Sequence, residues 1–365
     1  MYRNGIPTHT SVVRPATQFS LMIITGLLLL LISGCSQRMT HPDQNEMATI
    51  ERSLRLGDFQ PAPEAPVSAE RVTVGVYLVN AYDLNISSNT FYLSGYLWMR
   101  WKGDIDPMAS MEFANMVEEW SMIQTRIEEE PIVLEDGSYY QITRFQGRFF
   151  QPFDLSDYPL DHQRLSIYIE NSQSTIDKIV YVADTEDSGH GSSLFIPGWN
   201  ILGLQVAEMK HDYRTNFGET GQSSVYSTIK FSLDLRRVSN LFIWKLLLPL
   251  MIVLLTNWLA LLLLPTMRDI RTAMPATALL TTVFLHQASM DAIPQVSTLV
   301  LMDYIYVSAY FFILLTLAQI IWVNNQVNDA SPGTLQRLRS IDRTSAIVQL
   351  MAMGLIIGVM IWDKL

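Results

Sequence analysis

The stretch FDLSDYPLDHQ, residues 153–163, sets Tyr158, Pro159, Leu160 and Asp161 inside a segment otherwise patterned like strands and turns. Proline fixes its own φ and lacks a backbone donor, so it marks a shaped turn and not a sheet interior. A carboxylate held beside it needs water or a partner. By itself the tetrapeptide fits any β-turn carrying a proline and an aspartate, and its meaning depends on the flanks.

Around it, residues 72–79, 91–101, 139–150, 163–170, 178–182, 199–210 and 225–235 are short runs rich in Val, Ile, Tyr, Phe and Trp, separated by Gly, Asn, Asp and Ser. Spacing of this kind predicts an all-β sandwich of immunoglobulin-like type over 71–239. Beyond it the composition changes. Residues 241–264 form an apolar run broken only by Lys245, Thr256 and Asn257, long enough to cross a bilayer. Residues 299–323 and 346–362 are further spans. Residues 272–290 are weaker, with Thr277, Thr281, Thr282, His286 and Gln287 among apolar neighbours, so that span should face water or protein and not lipid. The expected architecture is therefore an all-β extracellular sandwich followed by an all-α four-helix transmembrane bundle over 240–365.

Charge separates the same two parts. Of 365 residues about half are apolar and 16% are charged, and the mean hydropathy is positive. Residues 36–240 hold 16 Lys/Arg against 29 Asp/Glu, whereas 241–365 hold 7 against 6. An acidic exported domain attracts cations and disfavours nucleic acid. Arg268 and Arg271 lie between the first two spans and Arg337, Arg339 and Arg343 between the last two, while 291–297 has no Lys or Arg. The positive-inside rule then puts the β-domain outside and, in a bacterium, in the periplasm, with the helices crossing the inner membrane.

The N-terminal part supports export. Arg3 and Arg14 precede the apolar run 21–31, which ends in Ile32-Ser33-Gly34-Cys35. This predicts a lipoprotein-type signal peptide over 1–34, with the single cysteine, Cys35, as the lipidated residue; an uncleaved anchor helix is the other reading. Residues 35–70, with Pro61, Pro63 and Pro66 and a short helix at 47–56, read as linker.

In this setting Tyr158-Pro159-Leu160-Asp161, followed by Gln163, resembles the aromatic-Pro-x-Asp core of the signature loop in the pentameric ligand-gated ion channels, the Cys-loop receptor superfamily. Gln151 and Leu165 stand where animal receptors have the bridging cysteines, as in prokaryotic members. Trp101 resembles the second-strand tryptophan, Arg237 the arginine before the first span, Pro249 the proline of the first helix and Ile293-Pro294 the end of the second. The short 324–343 connection also looks prokaryotic.

The resemblance implies a homopentamer opened by an extracellular agonist. It pairs Asp161 with Arg237 in a half-buried bridge between sandwich and pore, with Tyr158, Pro159 and Pro294 in the same coupling region. Asn85-Ile86 replaces a carboxylate that completes a triad in some relatives, leaving Asp83 as the nearest substitute. Asp269, Ala273, Thr277, Leu280, Phe284, Gln287 and Asp291 recur at helical spacing and would line the pore. Asp269 would form the narrow filter and Asp291 an outer ring, which selects monovalent cations. Leu280 and Phe284 would be the apolar gate. Pro275 suits this only if the helix starts near Ala273. Asp303 is a separate intramembrane acid expected to face a neighbouring helix.

Agonist binding would use Tyr213, Phe217 and Tyr226 of the 212–226 hairpin, Glu170, and Tyr96 of the neighbouring subunit. Aromatics with a carboxylate suit an amine, although Ser172 replaces the usual box aromatic. Protons are a second class, with Asn89 standing where the proton-gated relative has a glutamate. Divalent cations are a third, through Glu118-Glu119 or Glu128-Glu129-Glu130. No cofactor is implied, and no nucleophile–base or metal-ligand cluster points to an enzyme. The other function class is a lipid-anchored periplasmic binding or sensing protein that does not conduct.

Overall fold

Side chains alternate across a strand, so Val72, Val74, Val76 and Leu78 fall on one face, and all four are buried. The computed structural model describes residues 58–61, 68–215, 217–218, 225–238, 243–291, 299–327 and 331–362. The proposed signal peptide over 1–34, Cys35, the helix expected at 47–56, and Pro294 lie outside the described residues.

Thirteen strands are described. One sheet has the order β1 (Asp58–Pro61), β12 (Trp199–Asp212), β13 (Val225–Arg237), β9 (His162–Asn171) and β4 (Met111–Phe113). The other runs β10 (Ile179–Ala183), β2 (Glu70–Asn85), β3 (Thr90–Trp101), β8 (Tyr139–Phe150) and β5 (Met116–Val117). The short β11 (Gly189–His190) joins β2, while β6 (Ile123–Arg126) and β7 (Ile132–Val133) join β8. Phe91, Leu97, Phe145 and Phe149 from one sheet close against Ile167, Ile229, Phe231 and Leu233 from the other, which makes the two a sandwich around one apolar core.

One departure from the sequence reading is β1. It lies within the stretch read as linker, yet pairs antiparallel with β12 from Asp58 opposite Asp212 to Pro61 opposite Met209. Prolines bias against strand interiors, but Pro61 sits at the end of an edge strand where a missing donor is tolerated.

The helical part starts with a π-turn, Ile243–Leu247, that runs into α1 (Leu248–Leu262), with Pro249 at the junction. The others are α2 (Arg268–Met290), α3 (Leu301–Val327) and α4 (Pro332–Trp362). The α2 bounds correct the expected start near Ala273: the helix begins five residues earlier and Pro275 is inside it. Pro275 is buried, and the lost N–H falls on a single rung that the rest of a 23-residue helix outweighs. Helix α4 also begins well before the expected 346. Ser331 accepts from Thr334 N, and Pro332 takes the first helical position, where no donor is needed. Most of the 324–343 connection is thus helix.

Trp244–Leu262, α3 and α4 are long and apolar enough to cross a membrane. The chain divides into two compact units, the β-domain up to Pro249 with Leu285–Tyr304, and a helical unit of Leu250–Phe284 with the chain from Ile305 onward. In the helical unit Ala260, Leu261, Ile320 and Ala346 pack together.

The β2–β3 bulge makes one glycine indispensable. A Cβ at Gly95 would lie 2.5 Å from the Tyr77 carbonyl oxygen, whereas one at Gly189 meets nothing. Backbone cannot swing aside as a side chain can. Gly95→Ala should therefore destabilise the β-domain by about 1–3 kcal/mol, while Gly189→Ala should stay within about 0.5 kcal/mol of wild type. Denaturation of the two purified variants checks this.

Candidate functional site

The loop before β9 is built around Asp161, which is almost fully buried. Arg237, the last residue of β13, grips it with two bonds, Nε to Oδ1 at 2.6 Å and Nη2 to Oδ2 at 3.0 Å. The Arg237 backbone N–H donates to the Asp161 carbonyl at 3.2 Å. The guanidinium also stacks over Trp199 at 4.2 Å and Tyr158 at 5.1 Å, so its faces are covered while its edge is bonded. Gln163 donates to Asp161 Oδ2 at 2.7 Å and to the Asp154 carbonyl at 2.5 Å, and accepts from Asp154 N at 3.2 Å, which ties the loop shut. The Tyr158–Pro159 peptide is cis. Ser156 offers its carbonyl to Leu301 N, the first residue of α3, at 3.1 Å. Asp83 does not join this group; it pairs with Arg148 at 2.6 Å. Asn89 is a turn residue with φ +54° whose Oδ1 accepts from Phe153 N at 3.2 Å.

The β12–β13 hairpin forms a second cluster. Tyr213 meets Phe217 and Tyr226 edge-on, with ring centroids 5.2 and 5.6 Å apart. Its hydroxyl donates to Glu170 Oε1. Glu170 Oε2 lies 2.8 Å from His211 Nδ1 and accepts from Thr228 at 3.1 Å. The carboxylate is buried, and both its oxygens meet donors of the same chain. Glu112 stands directly opposite Glu170 in the β4–β9 pair, and although its own surface is partly open, desolvation by its neighbours first and then the Glu170 charge raise its pKa. Burial and the bond to Glu170 likewise push the Tyr213 hydroxyl far above the ordinary phenol range. Tyr96 is not brought here; it lies in β3 of the other sheet. Glu118 pairs with Arg148 at 3.4 Å, and among the described residues no three His, Cys, Asp or Glu side chains converge on a metal position.

Helix α2 has two unlike faces. Arg271, Pro275, Ala278, Thr282 and Ser289 are buried, while Asp269, Ala273, Thr277, Leu280, Phe284, Gln287 and Asp291 are all exposed. Leu280 and Phe284 are 57% and 66% exposed, a costly state for such side chains unless another surface or a water-filled space faces them. Asp303 Oδ1 lies 3.1 Å from His286 Nε2 of α2, and Asp303 Oδ2 accepts from Val300 N at 2.9 Å, capping α3.

No family model matches the chain. It is 24% identical over 225 residues to a proton-gated ion channel of Gloeobacter violaceus, covering 56% of this chain and 60% of that one. It is 22% identical over 231 residues to a gamma-aminobutyric acid receptor subunit beta-like protein of Drosophila melanogaster, covering 59% of this chain and 45% of that one. The chain thus aligns with less than two thirds of the length of either relative. Together with the buried Asp161–Arg237 pair and the sandwich-then-helices order, these matches make the chain similar to ligand-gated ion channels.

The sequence reading missed three parts of the hairpin cluster. His211 and Thr228 sit on strands whose pairing partners sequence does not reveal, and Phe59 of β1 stacks on His211 with centroids 4.2 Å apart. The run Gly57-Asp58-Phe59-Gln60 held the only cue, a lone aromatic in a polar stretch.

Two outcomes follow from this geometry. Asp161→Asn and Arg237→Gln should each cost about 3 kcal/mol by stranding a desolvated charge. The double variant should cost less than the sum by about 1–3 kcal/mol. Denaturation of the four proteins in detergent measures the coupling, and strict additivity would separate the two residues. The raised Glu112 means the folded β-domain binds that proton more tightly than the unfolded chain does. Its stabilising contribution is complete below pH 4.5 and is lost as pH rises through the higher folded-state value. Glu112→Gln, neutral throughout, should therefore pull ahead of wild type in thermal midpoint as pH increases; parallel curves from pH ~4 to ~8 would refute the assignment.

Proposed function

We propose that this chain forms a homopentameric, ligand-gated cation channel of the bacterial inner membrane, with its β-domain in the periplasm and α2 lining the pore. The observation that carries the proposal is the division of α2 into a buried stripe and an opposite, exposed stripe that holds six of the predicted lining residues, with exposed Asp291 just past its end. Five copies arranged about an axis turn that stripe into rings. Asp269 then forms the cytoplasmic filter and Asp291 the outer acidic ring, with Leu280 and Phe284 as the constriction between them. Such apolar rings close a pore by excluding water. The loop around Asp161 and Arg237, with Tyr158 and Pro159, carries movement of the β-domain to the helices. A lipid on Cys35, after removal of 1–34, tethers the exported part.

Among the agonist classes, the hairpin cluster favours protons. Both Glu170 oxygens are occupied within the subunit, so an ammonium ligand would have to displace existing bonds. Glu112, by contrast, stands opposite Glu170 in the β4–β9 pair, and the Glu170 charge makes Glu112 hold its proton more tightly. One of the relatives is named for proton gating. Tyr213, Phe217 and Tyr226, with Tyr96 of a neighbouring subunit, would read the state of that cluster.

Purified protein reconstituted in planar bilayers, with asymmetric salt and stepwise changes of pH on the β-domain side, tests the reading. Current should appear on acidification and its reversal potential should follow Na⁺ or K⁺. Asp269→Ala should erode that preference far more than Asp291→Ala, since the field of a carboxylate ring strengthens where the passage is narrow and water is scarce. Chloride selectivity would overturn the acidic-ring assignment. Absence of conductance under any agonist would favour the non-conducting, lipid-anchored sensor.

A further inference from the structure

Arg271 is only two positions from Asp269, and a cationic ring beside an acidic filter would cancel it. Two helical residues turn by about 200°, which sets their side chains on opposite sides of α2. Arg271 has no exposed surface, and its burial is achieved within one subunit. Its Nη2 donates to Asp342 Oδ2 of α4 at 2.5 Å and its Nε to the Ala260 carbonyl of α1 at 3.2 Å. Asp342 is equally buried and its second oxygen accepts from Gln319 of α3 at 2.9 Å.

A polar ladder continues from this pair. Ser345 donates to Gln319, Gln349 donates to Ser345 at 3.3 Å, and Thr316 Oγ1 lies 2.8 Å from Gln349 Oε1 while accepting from Asn257 at 3.0 Å. All four helices contribute. Yet Arg271 Nη1 has no hydrogen-bond partner among the described residues. The guanidinium is thus held by one carboxylate and one carbonyl, with no other counter-charge in contact.

We propose that Asp342, on the fourth helix, determines charge selectivity by holding Arg271 away from the Asp269 filter. The inference rests on the cation-channel reading above. Asp342 is a positioning residue: it touches no permeant ion and acts through Arg271. When it is neutralised, Arg271 is left as a buried, uncompensated charge, a state costly enough for the long side chain to leave. The nearest water is at the cytoplasmic end of α2, beside Asp269, and a flexible stem lets the head reach it. Five freed guanidinium groups then oppose five carboxylates.

The test compares wild type, D342N, R271Q and R271Q/D342N by reversal potential in asymmetric NaCl. The Na⁺/Cl⁻ permeability ratio should fall about tenfold in D342N, the scale expected for a unit charge moved beside the filter. It should be held or raised in R271Q and restored in the double variant, because no cation remains to be released. A structural role alone would alter expression or open probability in all variants without this sign pattern. If D342N homopentamers do not assemble, pentamers containing a minority of D342N subunits in a wild-type background should show a graded fall. Unchanged selectivity in D342N or in mixed pentamers, or a double variant as impaired as D342N, would overturn the role of Asp342 while leaving the channel reading intact. A chloride-selective wild type would instead overturn the reading on which the proposal rests.

Discussion

The bidentate bond between Asp161 and Arg237 is the constraint from which the rest of the β-domain unit can be followed. Arg237 is where β13 stops, so its position sets where the chain leaves the sandwich for the first helix. Asp161 closes the loop whose Ser156 carbonyl holds the first residue of α3. Two separate points of departure are therefore tied to one desolvated ion pair. A pair of this kind adds little net stability over apolar packing, but breaking one half is expensive, which makes it suited to fixing geometry. Stacking of Arg237 between Trp199 and Tyr158 removes the remaining freedom of the guanidinium.

The same economy appears in the helical unit with the opposite surroundings. Helix α2 is too polar to be a lipid-facing span, and its threonines return their hydroxyl protons to the helix: Thr277 to Ala273, Thr281 to Thr277 and Thr282 to Ala278. Self-satisfied hydroxyls let a polar helix stand among apolar ones without stranded donors. Its one buried charge, Arg271, is met by Asp342. What remains exposed, including Leu280 and Phe284, is the face of α2 that this chain leaves uncovered.

At the hairpin, Glu170 is a hub of side-chain contacts. Three donors from β12, β13 and the start of the hairpin converge on it, and Glu112 brings a second carboxyl to the same place. The Glu170 charge opposite it raises the pKa of Glu112, so the protonation of Glu112 is tied to this cluster. Phe59 of the added strand β1 covers His211 from above, so the segment preceding the sandwich also bears on this cluster.

The sequence by itself determined the two-part architecture, the main strands, three of the spans and the polar stripe of α2, all carried by local periodicity and composition, which are properties of neighbouring residues; the pairing of Asp161 with Arg237, 76 positions apart, was implied only by the resemblance of the aromatic-Pro-x-Asp motif. It did not determine β1, because edge pairing is made by backbone groups that any residue but proline supplies. The start of α2 was misplaced because proline's local penalty was weighed without the long helix that absorbs it. Asp83, named only as a possible third acid beside Asp161 and Arg237, pairs instead with Arg148, since a charge shows its sign in sequence but not its partner. Only the tertiary structure decided that Glu170 is enclosed by His211, Tyr213 and Thr228, and that Arg271 and Asp342, 71 positions apart, form one buried pair. Contacts across such separations are set by how elements pack, and burial is a property of the packed whole that no window of sequence contains.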